Sequence, residues 1–257
     1  MKRIAFFIYG TLCYVFFLGI FVYAVGFLGN FGVSNTIDSQ PQVSIWQALA
    51  INTVLLGFFA VQHSVMARQG FKRWWIRYIP KPIERSTYVL CTNIALALLF
   101  YAWQPMGGEI WHVQQPIGQV ILYGLFALGW GVVLTATLMI NHFDLFGIRQ
   151  VWLYLRKQRY TPLPFKTPAL YRQVRHPLYV GWLLAFWATP TMTSAHLLFA
   201  LTTTLYILMA IQWEEKDLVA IHGPAYTDYQ QQVPMLLPRF FRGNLMRNKH
   251  AVAKLPA

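Results

Sequence analysis

Apolar residues run along this chain in long blocks that are nearly free of charge, at about 4–28, 45–66, 88–103 and 117–140. Each block is close to the roughly 20 residues that an α-helix needs to cross the hydrocarbon of a bilayer. They predict four membrane spans. A fifth block, 180–212, is too long for one span: as a single helix it would measure roughly 50 Å at about 1.5 Å per residue, against a core of roughly 30 Å. Pro190 and the polar stretch 189–194 interrupt it, because proline removes a helical hydrogen bond and clashes with the preceding turn. The block is therefore expected to fold as a helical hairpin that returns to its starting side. The predicted fold is an all-α integral membrane protein of five apolar segments, a single domain over 1–257, with four spans in about 1–140.

Composition agrees with this reading. With 56% hydrophobic and 11% charged residues and a mean hydropathy of +0.41, the chain is too apolar for an ordinary soluble domain. The first apolar block lacks a small-residue cleavage site and is too long for a signal-peptide core, so it is expected to stay as an anchor. Cys13 and Cys91 both fall inside predicted spans and form no disulfide framework.

The net charge of +13 raises the question of nucleic acid, and the placement of the charges answers it. All 21 Lys and Arg fall in alternate segments: Lys2 and Arg3, then between Arg68 and Arg85, between Arg149 and Arg175, and from Lys216 onward. Loops 29–44 and 104–116 contain none. This is the positive-inside pattern of a multi-pass protein of the cell inner membrane, with the N-terminus, both basic loops and the C-terminus cytoplasmic. It implies membrane lipid as a partner, with the basic loops on anionic headgroups. Nucleic acid and an obligate protein partner are not expected.

No strand–glycine turn–helix unit of the kind that binds nucleotides occurs. Gly124, Gly129 and Gly131 lie inside an apolar block, where close helix packing is the expected role. Any cofactor site must then be built from helices and their polar ends. Arg175-His176-Pro177 stands at the mouth of the hairpin, and Pro177 can occupy the first helical turn because its missing N–H would be unpaired there. His176 then lies beside free backbone donors that favour an anion, or it caps the helix while Arg175 snorkels to phosphates. Glu214 and Glu215 are adjacent acids at the end of an apolar helix, at a depth where a lone carboxylate is costly. Their candidate partners are Arg175, Arg172, or a cationic ligand; the plainer reading is one solvated acid and one bridge to arginine. Tyr226 and Tyr229, three residues apart, share a helix face that could cover an adenine or the membrane surface.

The segment Arg175-His176-Pro177-Leu178-Tyr179-Val180-Gly181, with Glu214-Glu215-Lys216-Asp217-Leu218 and then Gly223, Tyr226, Tyr229 and Val233-Pro234, resembles the C-terminal signature of the isoprenylcysteine carboxyl methyltransferase superfamily. Those are integral membrane enzymes that take a methyl group from S-adenosylmethionine. The resemblance implies that cytoplasmic loops and tail, about 170–240, form the site of that cofactor. It implies that Arg175, His176, Tyr179, Gly181, Glu214 and Glu215 line the site, with Tyr229 on the cofactor side. Three earlier segments, Gln62-His63-Ser64-Val65-Met66-Ala67-Arg68, Glu84-Arg85-Ser86-Thr87-Tyr88 and Asn141-His142-Phe143-Asp144-Leu145-Phe146-Gly147, look like the bacterial methanethiol S-methyltransferases, which make dimethyl sulfide. Membrane proteins of nitrite and nitric-oxide gene clusters share part of this likeness.

The implied substrate is a small thiol, methanethiol above others. Thiols ionise only near pH 8.5 or higher, so a base must assist. His142, with Asp144 or His63 nearby, is the first candidate, against the alternative of a hydrogen-bonded interfacial histidine. The seven His lack the paired spacing of a zinc site, and methyl transfer from a sulfonium needs no metal. Two other functions fit the hydropathy: a membrane carboxyl or lipid methyltransferase with a longer groove, and a non-enzymatic transporter or sensor. An NADPH-linked sterol reductase fits less well, because the Glu pair would repel a 2′-phosphate.

Overall fold

The structure, a computed structural model, describes residues 1–238. Its elements in order are α1 (Lys2–Gly29), α2 (Ile45–Ala67), α3 (Gln69–Trp75), α4 (Glu84–Ala102), β1 (Glu109–His112), α5 (Pro116–Ile140), α6 (His142–Leu145), α7 (Ile148–Leu155), α8 (Pro177–Trp187), β2 (Thr191–Thr193), α9 (Ser194–His222) and α10 (Pro224–Gln232). Short 3-10 turns at Lys81–Ile83 and Ala169–Arg172 precede α4 and α8. Five helices are long and apolar enough to cross a membrane: α1, α2, α4 with its leading turn, α5 and α9.

The hairpin expected in the fifth block is present, and its arms are unequal. The chain breaks at 188–193, around Pro190. α8 has 11 residues, or about 16 Å of helix, whereas the 29 residues of α9 give about 43 Å. The missing length of the first arm is made up by extended chain: β2 pairs antiparallel with β1 from the opposite loop, and Val113 donates its N–H to the carbonyl of Pro190 at 2.9 Å.

α8 lies tightly against α5. A side chain on Gly129 would meet the Gly181 carbonyl oxygen at 2.8 Å, and one on Gly181 would meet that of Gly129 at 2.7 Å. Gly124 and Gly131 have nothing within 4 Å, so of the three clustered glycines only Gly129 has the packing role expected. Gly181→Ala should therefore separate the two helices at a cost of about 1–3 kcal/mol, seen as a lower melting temperature in detergent. Gly124→Ala should be silent in the same measurement.

The bundle has two chemically distinct ends. At one, where α1 and α8 begin and α2 and α9 finish, lies every Lys and Arg among the described residues. Arg68 pairs with Asp217 at 3.2 Å, Arg85 donates to the carbonyl of Leu145 at 2.7 Å, and Arg3 stacks on Tyr154. The other end is closed by neutral and acidic contacts. Asn52 exchanges two hydrogen bonds with the backbone of Gln104, at 2.7 and 2.9 Å. Trp103, buried among Phe27, Phe199 and their neighbours, reaches the carbonyl of Ile37.

Asp38 anchors this second end. It accepts from Asn30 at 2.7 Å and from Thr193, and pairs with buried His196 at 3.0 Å, whose other ring nitrogen faces the carbonyl of Phe186. Burial acts to raise the carboxyl's pKa, but the bonds from His196, Thr193 and Asn30 and the charge of His196 outweigh it and hold it below the usual value. A depressed carboxyl stabilises the fold above its unfolded pKa of about 4 and loses that contribution as pH falls below it. Asp38→Asn should lower the melting temperature at pH 7 and flatten its decline between pH 5 and pH 3, checked by thermal unfolding across that range.

Candidate functional site

At the basic end, the start of α8, the end of α9 and the chain after α10 meet. The sequence brings them there because Arg175 carries more donors than one acid can use. Its Nε donates to Glu215 Oε1 at 2.6 Å, and its terminal nitrogen donates to the carbonyls of Gln230 at 3.0 Å and Val233 at 2.6 Å. The backbone N–H groups of Arg175 and His176 reach the carbonyls of Pro234 and Met235. The segment after α10 is thereby fastened across the mouth of α8. Its continuation from residue 239, which includes the last residues of the tail expected to form the site, lies outside the described residues.

The two adjacent glutamates have different surroundings. Glu215 accepts from Arg175, from His176 Nε2 at 2.9 Å and from Gln230 at 2.9 Å, and is 12% exposed. Its acceptor capacity is largely used. Among the described residues Glu214 has one hydrogen-bond partner, the hydroxyl of Tyr179 at 2.9 Å; it lies 3.8 Å from His176 Nδ1 and is 44% exposed. One helical step, about 100°, separates them on α9, enough to turn one into the tail and leave the other open. Of the two arginines proposed as partners, only Arg175 is engaged; Arg172 donates to the carbonyl of Thr167. His176 stands at the N-cap position of α8 yet makes no capping bond, because its ring is turned to the acids.

Tyr171, Tyr226 and Tyr229 brace this centre. Tyr226 and Tyr229 do share a face of α10, with ring centroids 5.7 Å apart and Phe165 against both. Tyr229 is buried and donates to the carbonyl of Tyr171, whose own hydroxyl reaches the carbonyl of Ala136 on α5 at 3.4 Å. Burial, then the charge of Glu214, raises the Tyr171 phenol well above its ordinary value, and burial pushes that of Tyr229 up to about 12. These phenols stay neutral and act as struts. Gly181 is two residues from Tyr179, about 200° around α8, and so faces α5 rather than the Tyr179–Glu214 wall.

His142 is buried in an aromatic nest of Tyr14, Phe17, Phe143 and Phe146. Thr137 spends its hydroxyl proton on the carbonyl of Leu134 at 2.8 Å, so its oxygen accepts from His142 Nδ1 at 2.9 Å. Nε2 is left bare, and it accepts from the hydroxyl of Tyr14 at 2.8 Å. Burial lowers the ring's pKa below the ordinary imidazole value, which keeps it neutral. Neither residue expected beside the ring is its hydrogen-bond partner. Asp144 pairs with Arg149 at 2.8 Å and accepts from Tyr160. Its N–H is held by the side chain of Asn141, which caps α6 and fixes the corner that presents His142. His63 lies on α2 in a separate cluster with Tyr88 and Phe59, next to Ser64, which bonds Tyr206 of α9 at 3.0 Å. Tyr206 and Glu214 are eight residues, about 12 Å, apart along α9, so α9 is a wall common to that cluster and the acid pair.

Tyr14, Thr137, Tyr171, Gln230 and Tyr206 were not singled out in the sequence. The first two lie in apolar blocks with no signal beyond a polar atom in a span, which itself marks a group needing a partner.

Fold and site define the class of protein: a polytopic helical membrane protein with a half-open carboxylate set among phenols at one end of its bundle. The methanethiol S-methyltransferase of Crocosphaera subtropica is 61% identical over 231 residues, 90% of this chain and 91% of its own length. That of Mycobacterium tuberculosis is 56% identical over 238 residues, 93% of this chain and 98% of its own. Nurim of Rattus norvegicus is 33% identical over 184 residues, 68% and 70% of the two chains. No family model matches the chain, and no solved structure is similar to it. The chain belongs to the methanethiol S-methyltransferase family.

Proposed function

We infer that the protein methylates methanethiol to dimethyl sulfide, with S-adenosylmethionine as the donor. The observation that carries this is the run of relatives named for that reaction, 47–61% identical over most of the chain. The site supports the donor through Glu214: an acid with acceptor capacity to spare, next to a neutral phenol, suits a cationic ligand. Glu214, Tyr179 and His176 would hold that ligand, with Arg175 and Glu215 fixing the segment after α10 over them. When bound, S-adenosylmethionine supplies an electrophilic methyl group on a sulfonium.

The thiol must lose its proton before its sulfur can take the methyl group. His142 Nε2 is the unprotonated nitrogen of a neutral ring and accepts from the hydroxyl of Tyr14, so the thiol's proton reaches it by relay: Tyr14 gives its own proton to Nε2 as its oxygen takes the thiol's. Asp144 then serves as a positioning residue through Asn141 and Arg149, and His63, with Tyr88, is the reserve candidate. The aromatic nest keeps water from the thiolate, which strengthens its attraction to a cation.

The basic end is assigned to the cytoplasm by the positive-inside rule, which opens the site to a charged donor made there. Ser34→Cys and Lys157→Cys, each in a Cys13→Ser, Cys91→Ser background, should label from opposite faces of sealed vesicles, Lys157→Cys from the cytoplasmic one. Labelling of both from one face would overturn the topology. The function itself is tested with purified protein, labelled S-adenosylmethionine and a panel of thiols, carboxylates and lipids. Label is expected in dimethyl sulfide; label in lipid alone would make this a lipid methyltransferase.

A further inference from the structure

A second cavity opens at the basic end, away from the acid pair. It has a volume of about 950 Å³ and lies between α3, the turn before α4, the end of α5, α6, α7 and residues 158–162; none of its lining residues comes from α8, α9 or α10. Segment 84–88, which the methyl-transfer centre leaves unused, contributes Glu84 and Arg85 to it, and the corner that presents His142 contributes Asn141, Asp144 and Leu145 from its outer side.

Its charges are unequally matched. Lys72, Lys81, Arg85 and Arg159 line it against Glu84 and Asp144. Asp144 is already committed to Arg149, and Arg85 to the Leu145 carbonyl and the face of Tyr88. Among the described residues Lys72, Lys81 and Arg159 have no carboxylate within salt-bridge distance. Burial first, and then the charge of Arg85, lowers the pKa of Lys72 against the opposing charges of Glu84 and Asp217. On the far wall, Gln150 has a buried carbonyl oxygen with no hydrogen-bond partner, although its amide nitrogen is held by the backbone of Asp144. The cavity thus offers several cations and one acceptor that lacks a donor.

Its position says what kind of molecule can reach it. Trp74, Tyr78 and Tyr160 stand exposed around it, the aromatic belt of a membrane boundary. Ile140, at the end of span α5, both lines the cavity and is 53% exposed. A molecule filling this space meets hydrocarbon at one side and cations at the other. A free anion has no use for the apolar side.

We propose that this cavity seats the headgroup of an anionic glycerophospholipid, with its phosphate on Lys72, Lys81 and Arg159, a headgroup hydroxyl on Gln150, and its acyl chains leaving past Ile140 into the hydrocarbon. The cavity backs onto the corner that presents His142, through Asn141 and Asp144, but includes none of the residues proposed to hold the methyl donor.

The probe is phosphatidylglycerol, which carries both a phosphate and hydroxyl donors. Native mass spectrometry of the full chain, released from micelles doped with equal phosphatidylglycerol and phosphatidylcholine, should show one phosphatidylglycerol retained in strong preference. The double variant Lys81→Gln, Arg159→Gln, at two exposed positions, should weaken that preference about tenfold or more, as expected for two charge contacts near a membrane surface. Lys166→Gln, on the same end but outside the cavity, should not. Arg159→Gln alone should give a smaller loss and serves if the double variant unfolds. Equal retention of the two lipids, or parental preference in the double variant, would overturn the proposal. So would displacement of the lipid by millimolar glycerol phosphate, which would mark a site for soluble anions. Displacement by S-adenosylmethionine would give the cavity to the methyl donor instead.

Discussion

Glu214→Gln is expected to weaken S-adenosylmethionine binding about ten- to a hundredfold, the worth of a charge-assisted hydrogen bond of roughly 1.5–3 kcal/mol, while leaving the melting temperature nearly unchanged. The two effects separate because Glu214 is 44% exposed and, among the described residues, hydrogen-bonds only Tyr179, so little of the fold depends on it. Glu215→Gln should behave in the opposite way. It leaves the Arg175 guanidinium, whose side chain is 12% exposed, without its anion, and loosens the anchor of the segment after α10. The expected loss is about 1–3 kcal/mol of stability, with a smaller and indirect effect on affinity. Calorimetric titration and thermal unfolding of both variants decide the matter. Both binding within twofold of the parent would remove the acid pair from the donor's site; a Glu215 variant that melts normally but does not bind would exchange the two roles.

His142→Ala should lower turnover by roughly 10² to 10⁴-fold, the range for a lost general base, with donor affinity little changed. Because burial depresses the pKa of His142, its base form should already dominate at pH 7, and the parent's activity should fall only as pH drops below the ordinary imidazole value of about 6.5. The variant's deficit should shrink toward pH 10, where the thiol ionises unaided. Tyr14→Phe, which removes the hydroxyl on Nε2 but keeps the ring packing, should give a partial defect with the same alkaline recovery. Rates at saturating thiol from pH 6 to 10 test this. A variant that loses donor affinity would place His142 in the binding shell. One with full activity would pass the role to His63, and a deficit that persists at pH 10 would exclude a base at this position.

The spans were legible in the sequence because hydrocarbon imposes a length and forbids charge, and both constraints are one-dimensional. The grouping of 62–68, 84–88, 141–147 and 175–181 at one end followed from counting spans, and the structure places them there. The unequal hairpin was not legible: the length of α8 depends on β2 finding β1, a pairing between strands some eighty residues apart. Nor could the sequence divide Glu214 from Glu215, since neighbours in the chain take different directions on a helix and only the position of Arg175 decides which is covered. Gly181 belonged to a motif but serves the α5 contact. His142 was found by its place at the end of a span, yet its partners Tyr14 and Thr137 could not be, because hydroxyls within apolar blocks carry no pattern.

The fastening of Arg175 and His176 to Gln230, Val233, Pro234 and Met235 has a consequence for the order in which the molecule is made. When a ribosome has finished α9, every span exists, but none of these carbonyl acceptors has yet been made. The bundle can settle in the bilayer while its mouth is still open. The clamp can form only after these residues have emerged, so a nascent protein stalled before residue 230 should be embedded in the membrane without the fastening that the proposed donor site uses.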